Sequence, residues 1–344
     1  MIKHTNITET LTGLSLSAAY LNSILPSLEK KYQLDLPDLF SQAGIDAEDL
    51  ADPANLIPFY KVAALFLLIL KSSQDLALGL HIGELVQIKS YQVLGYSVYS
   101  SETLSDAIQK LIRYERLVGE LGRTVMEQQG DYVYLKWHCP IESEGADMVT
   151  EAAITGWVVI GKSLMAYDQG DFSVFFPHEN RAPVAEYEKV YQCPVFFNAD
   201  FAGVKVHQDL LAAKISSADP GLNSMMDTHG DVLLAEFSSK LNLLNEVRAA
   251  VYQRLADGEP AVEVIAQQLS LTPRALQNRL KGQGVNFTQL VDEVRKVAAL
   301  AYIEDDSLNL LDIAFLLGFS EQSSFNRAFK RWTGVAPGEY RKRV

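Results

Sequence analysis

IAFLLGFSEQSSFNRAFKRWTGV, Ile313–Val335, sets a short apolar helix against a tight turn at Leu317-Gly318-Phe319 and a second, cation-rich helix. IAQQLSLTPRALQNRLKGQGV, Ile265–Val285, carries the same frame. Ile265, Ala266, Leu269 and Leu271 match Ile313, Ala314, Leu317 and Phe319. After one extra residue in the later copy, Leu276, Leu280 and Lys281 match Phe325, Phe329 and Lys330. A small residue, Ala266 or Ala314, sits where two helices must cross closely. The second helices are expected to be capped at Thr272-Pro273 and at Ser320-Glu321. Leu276 and Leu280, like Phe325 and Phe329, lie four apart and form the stripe that seats the helix. Helix, tight turn and capped helix is the helix-turn-helix layout, whose second helix lies in a DNA major groove. Two copies are too few for a solenoid. They predict an all-α domain over 236–344 with helix-turn-helix units at about 265–285 and 313–335.

Removing the apolar stripe leaves the face available to double-stranded DNA. In the first copy this is Thr272, Arg274, Gln277, Asn278 and Lys281, with Arg279 nearby; in the second it is Gln322, Ser323, Asn326, Arg327, Lys330 and Arg331. Arg can fork onto guanine, and Gln or Asn onto adenine. Residues near each helix start are expected at bases, while Lys281, Lys330 and Arg331 suit phosphates. A solvated surface helix can show the same residue types, but two copies with one apolar frame make that explanation the weaker. Between the copies, Phe287–Asp305 reads as an amphipathic helix burying Leu290, Val294, Val297, Leu300 and Ala301. Its roughly 18 residues give a rod of about 27 Å, shorter than the roughly 34 Å of one DNA turn. One chain is therefore expected to present both second helices to successive major grooves.

The 344 residues exceed one ordinary core, so two domains are expected. Net charge is -13 over the whole chain, yet residues 244–344 hold 13 Lys and Arg against 12 Asp and Glu. The acidity belongs to the N-terminal part, and the last hundred residues are locally suited to a polyanion. Cys139 and Cys193 form no CxxC pairing, as expected of a reduced cytoplasmic protein. No secretory signal is visible, and the apolar stretches around 62–70 and 148–167 are too short or too interrupted by charge to span a membrane.

Residues 1–235 mix helix and strand, an α+β pattern. Helices are predicted over Leu16–Tyr32, Phe59–Lys71, Leu104–Glu120 and Met148–Tyr167. Strands are predicted at Arg123–Glu127 and Tyr132–His138 around Gly130-Asp131, at Phe172–Phe176, and as a hairpin of Val195–Phe197 with Val204–His207. The strands are read as hairpins, not as βαβ units. A helix start is expected near Asp219-Pro220, followed by one or two helices to about Leu241.

Residues 242–344 resemble the DNA-binding domain of the AraC/XylS family of transcription regulators. The resemblance rests on Ile313-Ala314, Leu317-Gly318-Phe319-Ser320, Phe325, Arg327, Phe329-Lys330, Gly334, Pro337 and Tyr340-Arg341. GYSVYSSETLSDAIQKLIRYERLVG and CPVFFNADFAGVKVHQDLLAAKI are similar to the arabinose-binding-like domain in one branch of that family. The resemblance implies a bacterial-type, ligand-responsive activator with a small-molecule effector, RNA polymerase as a partner and, in some members, a homodimer formed through the N-terminal domain. The competing expectation is a constitutive regulator whose N-terminal domain only dimerises or docks a protein.

An effector pocket needs apolar walls and a few polar anchors. Candidate ligand contacts are Trp137, His138, Tyr114 and Trp157, with core packing as the favoured alternative for each and Trp137-His138 as the first pair to test. The aromatic content points to an effector with apolar surface. The six histidines show no HxxxH spacing, and no GxSxG, P-loop or GxGxxG occurs. No enzyme, metal or cofactor is expected.

Overall fold

Gly130 takes φ of 60° as the first residue of a two-residue loop, a place that favours glycine in a tight hairpin. The loop joins β3 (Arg123–Gln129) to β4 (Tyr132–His138) in antiparallel register, with Arg123 opposite His138 and Gln129 opposite Tyr132. Along β4, Val133, Leu135 and Trp137 are buried while His138 is exposed. This is the two-residue alternation of a half-buried strand. The computed structural model describes residues 14–139, 144–165, 171–258, 260–283, 285–303, 305 and 307–342. Its described residues fall into two units, one of Leu14–Ala235 and one containing Glu236–Val344.

In the first unit a five-stranded sheet runs in the order β3-β4-β7-β5-β6, with β5 at Phe172–Phe175, β6 at Val195–Phe196 and β7 at Ala202–His207. The expected hairpin of residues 195–197 with 204–207 does not form. Instead β6 pairs in parallel with β5, Val174 opposite Val195, while β7 pairs antiparallel with β4 and β5. The helix Val184–Tyr191 lies between β5 and β6 in the chain, so this piece is the βαβ connection that the hairpin reading excluded. Asn198 does adopt left-handed φ, 55°, but its turn does not double the chain back on β6. The Asn198 and Ala199 amides donate to His178 and Phe176 carbonyls beyond β5, and the chain then passes over to β7. Gly203 is required there, because a Cβ would stand 2.0 Å from the Leu135 carbonyl oxygen.

Helices α1 (Ala18–Tyr32), α2 (Leu36–Ala43), α3 (Ala47–Ala51), α4 (Phe59–Ser73), α5 (Leu78–Glu84), α6 (Gln92–Ser100), α7 (Leu104–Tyr114), α8 (Glu144–Leu164) and α9 (Val184–Tyr191) belong to the same unit. The helix expected from Leu16 starts at Ala18, since Ser15–Ser17 form β1 against β2 (Leu56–Pro58) and the Ser17 hydroxyl caps α1. The helix expected to reach Glu120 ends at Tyr114. A 3-10 turn follows at Glu115–Leu117, whose Glu115 carboxylate accepts from the Thr124 backbone N–H at 3.0 Å. Residues 166–167 of the helix predicted over 148–167 lie outside the described residues. Both apolar stretches are core helices, α4 and α8, and no single described helix is long and apolar enough to cross a membrane.

One helix, α10, runs from Pro220 to Arg254 where one or two helices ending near Leu241 were expected. Asp219 caps it, accepting from Leu222 N–H at 3.0 Å. The second unit continues with α11 (Val262–Gln268), α12 (Pro273–Lys281), α13 (Phe287–Ile303), α14 (Leu310–Leu316), α15 (Gln322–Thr333) and α16 (Pro337–Tyr340). These share one core of Ile265, Leu276, Leu280, Ile313, Phe325 and Phe329, all fully buried, with residues of α10 and α13.

Candidate functional site

The two helix-turn-helix motifs close their turns identically. Leu271 N–H donates to the Ala266 carbonyl at 2.8 Å and Phe319 N–H to the Ala314 carbonyl at 2.9 Å. The central residue is left-handed in both, Ser270 at φ 56° and Gly318 at φ 74°. The copies diverge at the start of the second helix. Thr272 caps α12, accepting from Ala275 N–H at 3.2 Å, and Pro273 fills its first turn. In the second copy the cap position falls on Glu321, whose side chain makes no capping bond to the backbone; Ser320 is not the cap that the sequence suggested. The one extra residue of this copy lies there. The Glu321 carboxylate binds the Ser323 and Ser324 hydroxyls instead, which hold its pKa below the usual range.

The structure spaces the motifs with α13. Its 17 residues make a rod of about 26 Å. The buried side is Leu290, Val291, Val294, Arg295, Ala298, Ala299, Tyr302 and Ile303. Val297, Leu300 and Ala301, expected inside, are only partly buried beside this core. Arg295 was missed by sequence reasoning. It is 8% exposed, donates through Nε to the Leu317 carbonyl at 2.9 Å and through Nη2 to the Gly318 carbonyl at 3.2 Å, and lies 4.6 Å from the Phe319 ring centroid. It satisfies the carbonyls that the second motif's turn leaves without helical partners. The signal available in sequence was its place four residues after Val291 on the apolar stripe.

Thr272 at the cap of α12 and Arg274, Gln277, Asn278 and Lys281 on it are exposed, as are Ser323, Arg327, Lys330 and Arg331 on α15. Among the described residues, Arg274, Arg279, Lys281 and Lys330 have no acidic partner. Arg331 instead pairs with Asp292 of α13 at 2.7 Å, an acid that also accepts from Trp332 Nε1 at 3.0 Å. Arg327 donates to the Ser324 hydroxyl at 3.0 Å and stands 3.7 Å from Glu321. Gln322 and Asn326 are half-buried, and the Asn326 amide oxygen is buried with no bonded partner among the described residues.

Residues 34–215 match the family described as the arabinose-binding domain of AraC transcription regulators, N-terminal, and residues 265–343 match a helix-turn-helix domain. The chain belongs to the AraC transcription regulators. It is 28% identical to the ornithine utilization regulator of Pseudomonas aeruginosa over 328 residues, 94% of this chain and 95% of that one. It is 33% identical to the HTH-type transcriptional regulator VirS of Mycobacterium tuberculosis over 167 residues, 48% of each. Among solved structures it is similar to the transcriptional regulator CdpR from Pseudomonas aeruginosa, with 21% identity, 92% of this chain and 98% of that chain covered, and a TM-score of 0.44. As an AraC-type regulator, the chain is a DNA-binding transcription regulator.

In the AraC-type N-terminal unit a half-open cavity of about 130 Å³ lies between α6, α7, α8 and the inner face of the sheet. A second space of about 80 Å³ shares Tyr91, Leu94, Leu111 and Trp157 with it. Of the four candidate ligand contacts, Trp157 lines both spaces and Trp137 lines the second. His138 lines neither, because its side chain stands on the exposed side of β4. Tyr114 lines neither as well. It is fully buried, and its hydroxyl donates to Asp231 at 2.8 Å. With the Lys110–Asp227 and Arg113–Asp231 ion pairs it ties α7 to α10.

Proposed function

We propose that this chain is a one-component regulator: a small effector bound in the N-terminal unit biases how α12 and α15 engage successive major grooves of one DNA duplex. The observation that carries the DNA reading is the pairing of two identically closed turns, each leading to a helix that keeps at least one cation without an acidic partner, across a single half-buried helix of 17 residues. A rod of about 26 Å fits within one helical repeat of roughly 34 Å if the duplex bends slightly. Arg274, Gln277 and Asn278 read base edges in this account, and Lys281 and Lys330 hold phosphates. Arg331 is committed first to Asp292, so its phosphate contact is the weakest of the set. RNA polymerase is the partner through which such a protein acts on a promoter, and a homodimer would double the number of grooves engaged.

The effector reading is supported by α7. One face of this helix lines the cavity through Leu104, Ile108 and Leu111. Lys110, Arg113 and Tyr114 bind residues 227–231 of α10, the helix that continues to Arg254. An effector that binds one position of α7 better than another would act on that helix. Footprinting of the full chain on its own promoter region tests the DNA reading. Protection of two segments about one helical turn apart per monomer is expected, and protection of a single segment would overturn it. Effector-dependent change in that pattern tests the control.

A further inference from the structure

Charge is nearly absent from the walls of the larger cavity. Leu135, Val204 and Val206 of the sheet face Leu104, Ile108 and Leu111 of α7 across it. Among the described lining residues Lys162 alone carries a charge, and its ammonium turns away to the end of α9. There it donates to the Tyr191 carbonyl at 3.3 Å and to the Gln192 side chain. The neighbouring space contains one acid, Glu115, whose carboxylate is held by Thr124 and whose pKa burial raises. A ligand carboxylate would meet that acid with no free cation opposite. A ligand ammonium would lose its hydration against hydrocarbon, a cost that only a paired charge offsets.

The Tyr91 hydroxyl is free at the junction of the two spaces. Tyr91 lines both, and among the described residues no protein group hydrogen-bonds its hydroxyl. The hydroxyl reaches this point because residue 156 is glycine; a Cβ there would stand 2.3 Å from Tyr91 Oη. An apolar chamber with an unpartnered hydroxyl at its edge matches a molecule with a hydrocarbon body and a neutral hydrogen-bonding group. The volume sets its size. A cavity of about 150 Å³ lined by aliphatic and aromatic side chains takes up benzene, and the adjoining space leaves room for a substituent.

Resting on the effector reading above, we propose that the N-terminal unit binds an uncharged, hydrophobic small molecule, about the size of a substituted benzene or a medium-chain alcohol. The Tyr91 hydroxyl is its polar anchor. This choice of ligand class sets the chain apart from what a zwitterionic amino acid such as ornithine would require.

The test uses the full chain, with 4-ethylphenol, 1-hexanol and ethylbenzene as neutral probes and octanoate, hexylammonium and L-ornithine as charged ones. Binding is read by calorimetry and by the emission of Trp157, which lines both spaces. The neutral probes are expected to bind with one-to-one stoichiometry and the charged ones at least tenfold more weakly. Tyr91→Phe should weaken 4-ethylphenol about tenfold and leave ethylbenzene within twofold. Gly161→Leu, at a lining position where an added Cβ meets nothing within 4 Å, should abolish binding of all three neutral probes while the melting curve keeps its shape. Tighter binding of a charged probe, lost in Gly161→Leu, would overturn the neutral class and leave the effector reading standing. Equal loss of 4-ethylphenol and ethylbenzene in Tyr91→Phe would overturn the anchor. If no probe of either class binds, and Gly161→Leu leaves promoter control unchanged in cells, both this proposal and the effector reading of the cavity fall.

Discussion

Gly318→Ala isolates what the second motif's turn demands. Gly318 sits at φ 74°, where a side chain costs about 1 kcal/mol relative to glycine. That alone is tolerable, since Ser270 occupies the same place in the first motif at φ 56°. The surroundings differ. A Cβ on Gly318 would stand 2.4 Å from the Gly258 carbonyl oxygen and 2.5 Å from that of Leu255. Both are backbone atoms, so the α10–α11 connection or the motif itself must shift, an overpacking that costs about 1–3 kcal/mol. The shift also disturbs the two bonds from Arg295 to the Leu317 and Gly318 carbonyls. The expected loss is about 2–4 kcal/mol, which for a unit of this size lowers its melting transition by roughly 10–20 °C. Scanning calorimetry of the full chain measures that transition, and fluorescence anisotropy with duplex DNA reads the recognition helix. Ser270→Gly is the control and should stay within about 1 kcal/mol of wild type. If Gly318→Ala melted within 2 °C of the parent and bound DNA equally well, close approach would not be the reason for glycine at this position.

Arg274→Ala should cost about 1–3 kcal/mol at particular base pairs, whereas Lys330→Ala should weaken all sequences alike and reduce the salt slope of binding by about 1. Identical behaviour of the two on every sequence would refute the division of roles. Arg295→Met keeps the volume but strands the Leu317 and Gly318 carbonyls, with an expected loss of about 2–4 kcal/mol by urea denaturation; a neutral result would mean that water replaces the guanidinium. Burial pushes the Glu151 carboxyl up from 4.5 to about 7, with Tyr187 donating to it at 2.9 Å. The folded chain therefore favours its protonated form, and this stability is complete below about pH 4.5 and lost as pH rises through about 7. Glu151→Gln should flatten the melting temperature between pH 5 and 8, by an amount equivalent to roughly 2–3 kcal/mol; an unchanged pH slope would assign it to another group.

Legibility followed the range of the interactions. The β3–β4 hairpin could be read because alternation and a glycine loop are local, and its register follows from the turn. The helix-turn-helix pair could be read because one apolar frame appears twice. The partner of β6 could not. Asn198 and Gly203 signal turns without saying which strand the chain meets next, and here Asn198 and Ala199 bond beyond β5. Tyr114 is fully buried, and its hydroxyl serves Asp231, a partner more than a hundred residues away that no local pattern names. Most of the cavity lining is ordinary aliphatic residues from three helices and three strands, so no local pattern marks it. Arg295 escaped notice because a cation on an apolar stripe looks like a surface residue. Only the fold brings the Leu317 and Gly318 carbonyls to it.

The same reasoning explains how an acidic chain can present a face to DNA. The last hundred residues are close to neutral, so no excess of charge draws them to a polyanion. What matters is which cations the fold uses up. Arg248 is held by Glu293 at 3.3 Å, Arg254 stands 3.7 Å from Asp257, Arg331 is bound by Asp292, and Arg295 is spent on backbone carbonyls. Of these three acids, Asp292 and Glu293 lie on α13 and Asp257 on the 3-10 extension of α10. Among the described residues the second helices keep Arg274, Arg279, Lys281 and Lys330 without acidic partners. Arg248, Arg254 and Arg331 are matched by acids, while Arg274, Arg279, Lys281 and Lys330 are left over on the two helices that follow the turns. Local pairing, not net charge, makes this surface cationic.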